Sequence, residues 1–296
     1  MKLHTIFFST LIILSSACAY VNKTRTYHIN DEPLSQPQLT PVRPETWNRR
    51  NVDIPLPDGN ILRGIAIVRP YPRATAIYFG DDAELAQAAT IDITLLSEKH
   101  NINVIFVDYR GRGASSGLPA IKYLPGDALY VFDKTSRLRG DMPTFVIGVS
   151  LGSIPATYLA ANRSVQGLVL IAPISSFNDG DLYSKKQKKT MLPWYLAPVA
   201  SLVKVKPEFE ILENSEPIYQ IPHVSAPLLL MHGEVDSVIP ALCGKKVYET
   251  AVGKKTLLLV PGLEHNELSL IDGPGGSFLT RFIDDCFGPT VISGAN

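Results

Sequence analysis

Short apolar runs separated by turn-forming residues recur along the chain, and their period switches between that of strands and that of helices. Residues 51–55 and 61–68 flank Pro57-Asp58-Gly59-Asn60, a hairpin signal. A third run, 74–79, ends at Gly80-Asp81-Asp82, and residues 83–100 then alternate at helical spacing. Residues 103–107 are almost entirely apolar, as expected of a parallel strand buried on both faces. A glycine-rich loop at 108–113 leads to a helix over 127–137, a strand over 144–147, a helix over 153–161 and a strand over 167–171. The alternation resumes with a strand at 228–231, a helix at 241–251, a strand at 256–260 and a helix at 277–286. Strands and helices alternating after an initial hairpin predict an α/β fold with a mostly parallel sheet and helices on both faces. Ligands of such sheets sit beyond the carboxyl ends of the strands.

Two stretches break this rhythm. Residues from about 175 to 222 are too many for an ordinary connection and predict a cap with structure of its own. The stretch carries Lys185, Lys186, Lys188 and Lys189, a solvated face or a contact for anionic headgroups, and then Met191, Trp194 and Tyr195. Those three pack the cap onto the core or wall an acyl pocket. Residues 1–18 hold Lys2, an apolar block over 6–14 and Ser15-Ser16-Ala17-Cys18. As a helix that block reaches only about 14 Å, far short of a bilayer core, so it reads as an export signal. Residues 19–50 mix prolines with polar residues and read as a tether. The folded domain is expected over 51–287, with a tail at 288–296.

Composition narrows the partners. Lys plus Arg and Asp plus Glu number 28 each among 296 residues, so no basic field points to nucleic acid. The three cysteines, Cys18, Cys243 and Cys286, lack metal-type spacing, and no metal or cofactor is implied. In an oxidising compartment Cys243 and Cys286 either pair or stay buried thiols. A monomer is the default expectation.

The candidate chemistry centres on Gly148-Val149-Ser150-Leu151-Gly152, placed between a strand and a helix. A strand turning sharply into a helix strains its pivot residue, and flanking glycines let the two elements approach. The Ser150 hydroxyl is then raised above the sheet edge with the Leu151 N–H aimed at the same spot. A serine hydroxyl needs a base, and the base needs a carboxylate to fix its tautomer. Two later strand ends carry such groups, His232-Gly233-Glu234-Val235-Asp236 and Pro261-Gly262-Leu263-Glu264-His265.

These motifs, in this order, resemble the α/β-hydrolases of the esterase and lipase type, over roughly residues 51–286. The resemblance implies an α/β-hydrolase fold with Ser150 as nucleophile, Asp236 as acid and His265 as base. Asp108-Tyr109-Arg110-Gly111-Arg112-Gly113-Ala114-Ser115 resembles the loop after the fourth strand in that family. Glu234, Asp179 and Asp181 are rival acids. His232 is the rival base, although a histidine at a strand end before glycine is more often packed and hydrogen-bonded. His28, His100 and His223 lie away from suitable strand ends.

The family places its second oxyanion donor after the third strand, which here implies the backbone of Asp81 or Asp82 beside Leu151. Gly80 stands where the family commonly has histidine. Two carboxylates beside a developing oxyanion would oppose it, so they must point away or be neutralised, with Arg110 or Arg112 as candidates. The expected activity is cleavage of small ester or lipid-like substrates. A peptidase or thioesterase using the same triad, or a non-catalytic envelope lipoprotein, are the alternatives. Ser16-Ala17-Cys18 is similar to the lipobox of bacterial lipoproteins, implying lipidation of Cys18 and a membrane anchor in the cell envelope. Ser15 departs from that pattern, which leaves cleavage after Ala17 or Ala19 and a periplasmic or secreted protein as the alternative.

Overall fold

A computed structural model describes residues 48–176 and 214–289. Cys18, the export signal, the tether before residue 48, the lysine cluster, Asp179, Asp181 and most of the expected cap lie outside the described residues. So does the tail beyond residue 289.

Eight strands form one sheet in the order β1-β2-β4-β3-β5-β6-β7-β8. They are β1 Asn48–Pro55, β2 Ile61–Val68, β3 Thr75–Phe79, β4 Asn103–Val107, β5 Thr144–Val149, β6 Gly167–Ile171, β7 Leu228–Gly233 and β8 Lys255–Val260. The β1–β2 hairpin and its β2–β4 neighbour are antiparallel, and every later pairing is parallel. Every residue of β3, β4 and β6 is buried, the consequence of covering the sheet on both faces. Helices α2 (Leu124–Lys134), α3 (Ser153–Asn162) and α4 (Ala241–Thr250) close one face through Val131, Leu159 and Val247. Helices α1 (Thr90–His100) and α5 (Gly273–Phe287) close the other through Ile93, Leu96, Leu279 and Ile283. Cys243 sits on α4 and Cys286 on α5, on opposite faces of the sheet, and the two are not joined to each other.

The helix predicted over 127–137 lies three residues earlier, and two helix starts depart further from the pattern. The helix expected from residue 83 begins at Thr90, because side chains bind its backbone first. Asp81 accepts the N–H groups of Ala83 and Glu84, and Asp108, at the end of β4, accepts that of Ala86. Helix α5 begins at Gly273 rather than 277. Pro274 fits a first turn, where its missing N–H is no loss. Gly275 and Gly276 lie so close to the carbonyls of Ser269 and Ile271 that any Cβ would overlap them. Gly275 and Gly276 are there for close packing.

Candidate active site

Strand β5 ends at Val149, and Ser150 takes φ +52° before a short 3₁₀ turn, Ser150–Gly152, leads into α3. That left-handed backbone is unfavourable for an L-residue and is held by its surroundings. A Cβ on Gly152 would overlap the Phe79 carbonyl oxygen, and one on Gly148 would lie 2.6 Å from the Ala156 Cβ. The glycines let the elbow nest between β3 and α3. The Ser153 hydroxyl donates to the Ser150 carbonyl at 2.6 Å and accepts the Ile174 N–H at 3.1 Å, fixing the turn from behind. The N–H of Leu151 belongs to the first turn of this helical segment, where donors have no partner within the helix.

Residues far apart in sequence converge on Ser150. Its Oγ lies 2.9 Å from Nε2 of His265, and His265 Nδ1 lies 2.7 Å from Oδ2 of Asp236. The loops carrying His265 and Asp236 are tied together. The Glu264 carboxylate accepts the Ser237 N–H at 2.8 Å, and Gly233 leaves no room for a side chain against the Leu263 carbonyl. Asp236 Oδ1 accepts the N–H groups of Val238 and Ile239 at 2.8 and 2.7 Å. Burial pushes the Asp236 carboxyl upward, but bonds from His232, His265 and the Ile239 N–H more than offset this and hold it well below the usual range. It therefore stays an anion at neutral pH.

His232 is fully buried, with Nε2 2.9 Å from the Ile239 carbonyl and 3.2 Å from Asp236 Oδ2. Both neighbours are acceptors, so Nε2 carries the proton and the ring backs Asp236. Glu234 is exposed and takes no part in the cluster.

The turn after β3 is arranged in a way the sequence did not reveal. Asp81 folds its carboxylate back on its own turn, accepting Ala83 and Glu84 N–H at 2.7 Å each. Asp82 is exposed and shares a cavity wall with Ser150 and Leu151. Neither expected arginine pairs with them. Arg110 is bound to Asp127 at 2.7 and 2.8 Å and to Asp58, and Arg112 forms no ion pair among the described residues. The Tyr109 hydroxyl instead donates to the Gly80 carbonyl at 2.7 Å.

Two cavities are lined in part by the elbow. One of about 600 Å³ includes Ser150, Leu151, Asp82 and Arg112 with apolar walls at Pro119, Ile121 and Leu124. The other, of about 270 Å³, includes His265, Val149, Asp81, Glu84 and Asp92. Burial raises the Glu84 carboxyl to about 7, opposed by a 2.9 Å bond from the Tyr78 hydroxyl and helped by nearby Asp81 and Asp92.

The architecture is the α/β-hydrolase fold. The model of a hydrolase family described as serine aminopeptidase, S33, matches residues 96–221, from the end of α1 past the elbow. The chain is 31% identical over 179 residues to human protein ABHD12B, covering 56% of this chain and 48% of that protein. It is 30% identical over 167 residues to the lysophosphatidylserine lipase ABHD12 of Danio rerio, covering 52% of this chain and 41% of the relative. The chain thus spans about half the length of the curated relatives it matches. Among solved structures, the Pyrococcus furiosus esterase Pf2001 superposes with a TM-score of 0.64 at 18% identity, covering 81% of this chain and 91% of that one. Acetyl xylan esterase 1 from Thermoanaerobacterium gives a TM-score of 0.56 at 15% identity, covering 84% and 86%.

Proposed function

We propose that this protein is a serine hydrolase that cleaves carboxylic esters through an acyl-enzyme on Ser150. The observation that carries the reading is the continuous chain Ser150 Oγ, His265 and Asp236, with contacts of 2.9 and 2.7 Å. His265 Nε2 takes the hydroxyl proton as Oγ attacks the ester carbonyl, and the imidazolium formed is stabilised by the Asp236 carboxylate. The Leu151 N–H and a backbone N–H of Asp81 or Asp82 hold the oxyanion. His265 then passes its proton to the leaving alcohol, and water hydrolyses the acyl-enzyme by the same steps. The lipase and esterase names of relatives and structural neighbours support a small-molecule or lipid-like ester as substrate.

A fluorophosphonate probe labels Ser150 under this reading, and Ser150→Ala abolishes both labelling and ester turnover. Full turnover in Ser150→Ala would remove the proposal. The match to the aminopeptidase family favours one second reading, a peptidase using the same triad. A panel of acyl esters, thioesters and aminoacyl amides separates these, and faster cleavage of the amides would select it. Properly folded protein that resists labelling and turns over none of them would instead indicate a non-catalytic binding protein.

The first 18 residues support export, with Cys18 as the lipidated residue of a membrane-anchored envelope protein. Metabolic labelling with a palmitate analogue, lost in Cys18→Ser, tests the anchor.

A further inference from the structure

The larger cavity beside Ser150 is bordered by two arginines in different states. Arg110 is buried, its guanidinium forked onto both oxygens of Asp127, bonded to Asp58 and stacked 4.3 Å from the Tyr123 ring centre. Its charge is balanced within the protein. Arg112, two residues on, is half-buried on the same cavity wall, and its guanidinium has no carboxylate or hydrogen-bond partner among the described residues.

The loop that presents Arg112 is held by its own hydrogen bonds. The Arg112 N–H donates to the Tyr109 carbonyl at 3.0 Å, and its own carbonyl accepts the Ser115 N–H at 2.9 Å. Gly113, at φ +50°, packs against the Asp108 carboxylate, which also accepts the Ala114 N–H at 3.2 Å. The loop therefore does not rearrange easily to find Arg112 a partner. Asp82, the other unpaired charge on this wall, is not within ion-pairing distance of it. A partly desolvated guanidinium without a counter-charge loses hydration and gains nothing until an anion arrives.

We propose that the substrate of this site carries an anionic group, a carboxylate or a phosphate, and that Arg112 is the residue that selects it. The planar guanidinium fork suits either oxyanion in two parallel hydrogen bonds, while Pro119, Ile121 and Leu124 take the apolar part of the same molecule. This deepens the ester-hydrolase reading and rests on it.

The test uses esters of matched length ending in a methyl, a carboxylate or a phosphate, with the charge placed on the acyl or on the alcohol portion. For the wild-type protein, kcat/KM for at least one anionic ester exceeds that for its neutral match by about tenfold or more, and the preference shrinks with added salt. In Arg112→Gln the ratio of anionic to neutral turnover collapses towards one, chiefly through KM. Arg112→Lys, which keeps the charge and loses the fork, falls between. The carboxylate and phosphate arms identify which group is bound.

Equilibrium binding of the same esters to Ser150→Ala, with and without Arg112→Gln, reads the anion site without relying on turnover. A wild-type preference for the neutral ester, or a preference that survives Arg112→Gln, overturns the anion site and leaves the hydrolase reading intact. Arg112-dependent binding without turnover or probe labelling overturns the hydrolase reading alone.

Discussion

The Tyr109 hydroxyl donates a 2.7 Å hydrogen bond to the Gly80 carbonyl, joining the ends of β4 and β3 beside the Ser150 turn. Gly80 opens the turn proposed to supply the second oxyanion donor. In a trans peptide the Asp81 N–H lies opposite that carbonyl, so fixing one fixes the other. The same carbonyl lies 2.7 Å from where a Cβ on Gly152 would stand, so Gly80 is held between Tyr109 and the elbow. Tyr109→Phe removes the tether and keeps the ring. We predict a fall in kcat of about tenfold, the size of one net hydrogen bond, with KM nearly unchanged. Affinity for a boronate transition-state analogue should fall in parallel while the melting temperature holds. An unchanged kcat would show that the turn is held without this hydroxyl.

Gly152→Ala tests the same junction sterically. The new methyl overlaps the Phe79 carbonyl, and backbone on both sides must shift to admit it. Overpacking of this kind typically costs about 1–3 kcal/mol, and here the strain falls on the turn proposed to supply the second oxyanion donor. Both the melting temperature and kcat should drop, with ester turnover falling further than stability alone would explain.

His232 backs Asp236, the proposed acid. His232→Leu removes a donor from Asp236 and leaves the Ile239 carbonyl without its 2.9 Å partner. A buried acceptor left in this way costs about 1–3 kcal/mol of stability. Turnover should fall, but by less than in Asp236→Asn, which disturbs the His265 tautomer directly and should cost orders of magnitude. Equal losses in the two variants would mean that His232 is part of the reacting group.

Buried His100 and half-buried Glu84 give stability opposite dependences on pH. Burial lowers His100 from 6.5 to about 4, so the unfolded chain binds more protons in that window. Its contribution is complete above 6.5 and is lost as pH falls towards 4. Glu84 is raised from 4.5 to about 7, so the folded state holds the extra proton, and stability is lost as pH rises through that window. Relative to wild type, His100→Leu should gain stability at pH 5 compared with pH 7.5. Glu84→Gln should gain at pH 8 compared with pH 5. Each shift corresponds to at most about 3 kcal/mol. Urea unfolding at the paired pH values checks both, and a variant whose offset from wild type is independent of pH would refute its assignment.

Much of this architecture is legible in the sequence because strands and turns write themselves locally. The β2 and β4 segments fall where the apolar runs place them, and β4, buried on both faces, is apolar in all but Asn103. The elbow is legible for the same reason, a serine between close-packing glycines at the junction of a strand and a helix. Helix starts are less so. Asp81 and Asp108 withhold residues 83–89 from α1 through bonds that a periodicity count does not contain.

The sequence by itself determined the order of elements and set Ser150, Asp236 and His265 each just past a strand of its own, because those features depend on near neighbours. Only the tertiary structure decided how side chains 29 and 115 positions apart meet in one hydrogen-bonded line. It also decided that His232 backs Asp236, that Tyr109 holds Gly80, and that Arg110 is neutralised while Arg112 is left open. Two arginines two residues apart look alike in a sequence. What separates them is which carboxylates the fold brings within reach, and that is set by the β1–β2 hairpin and α2 packing over the sheet.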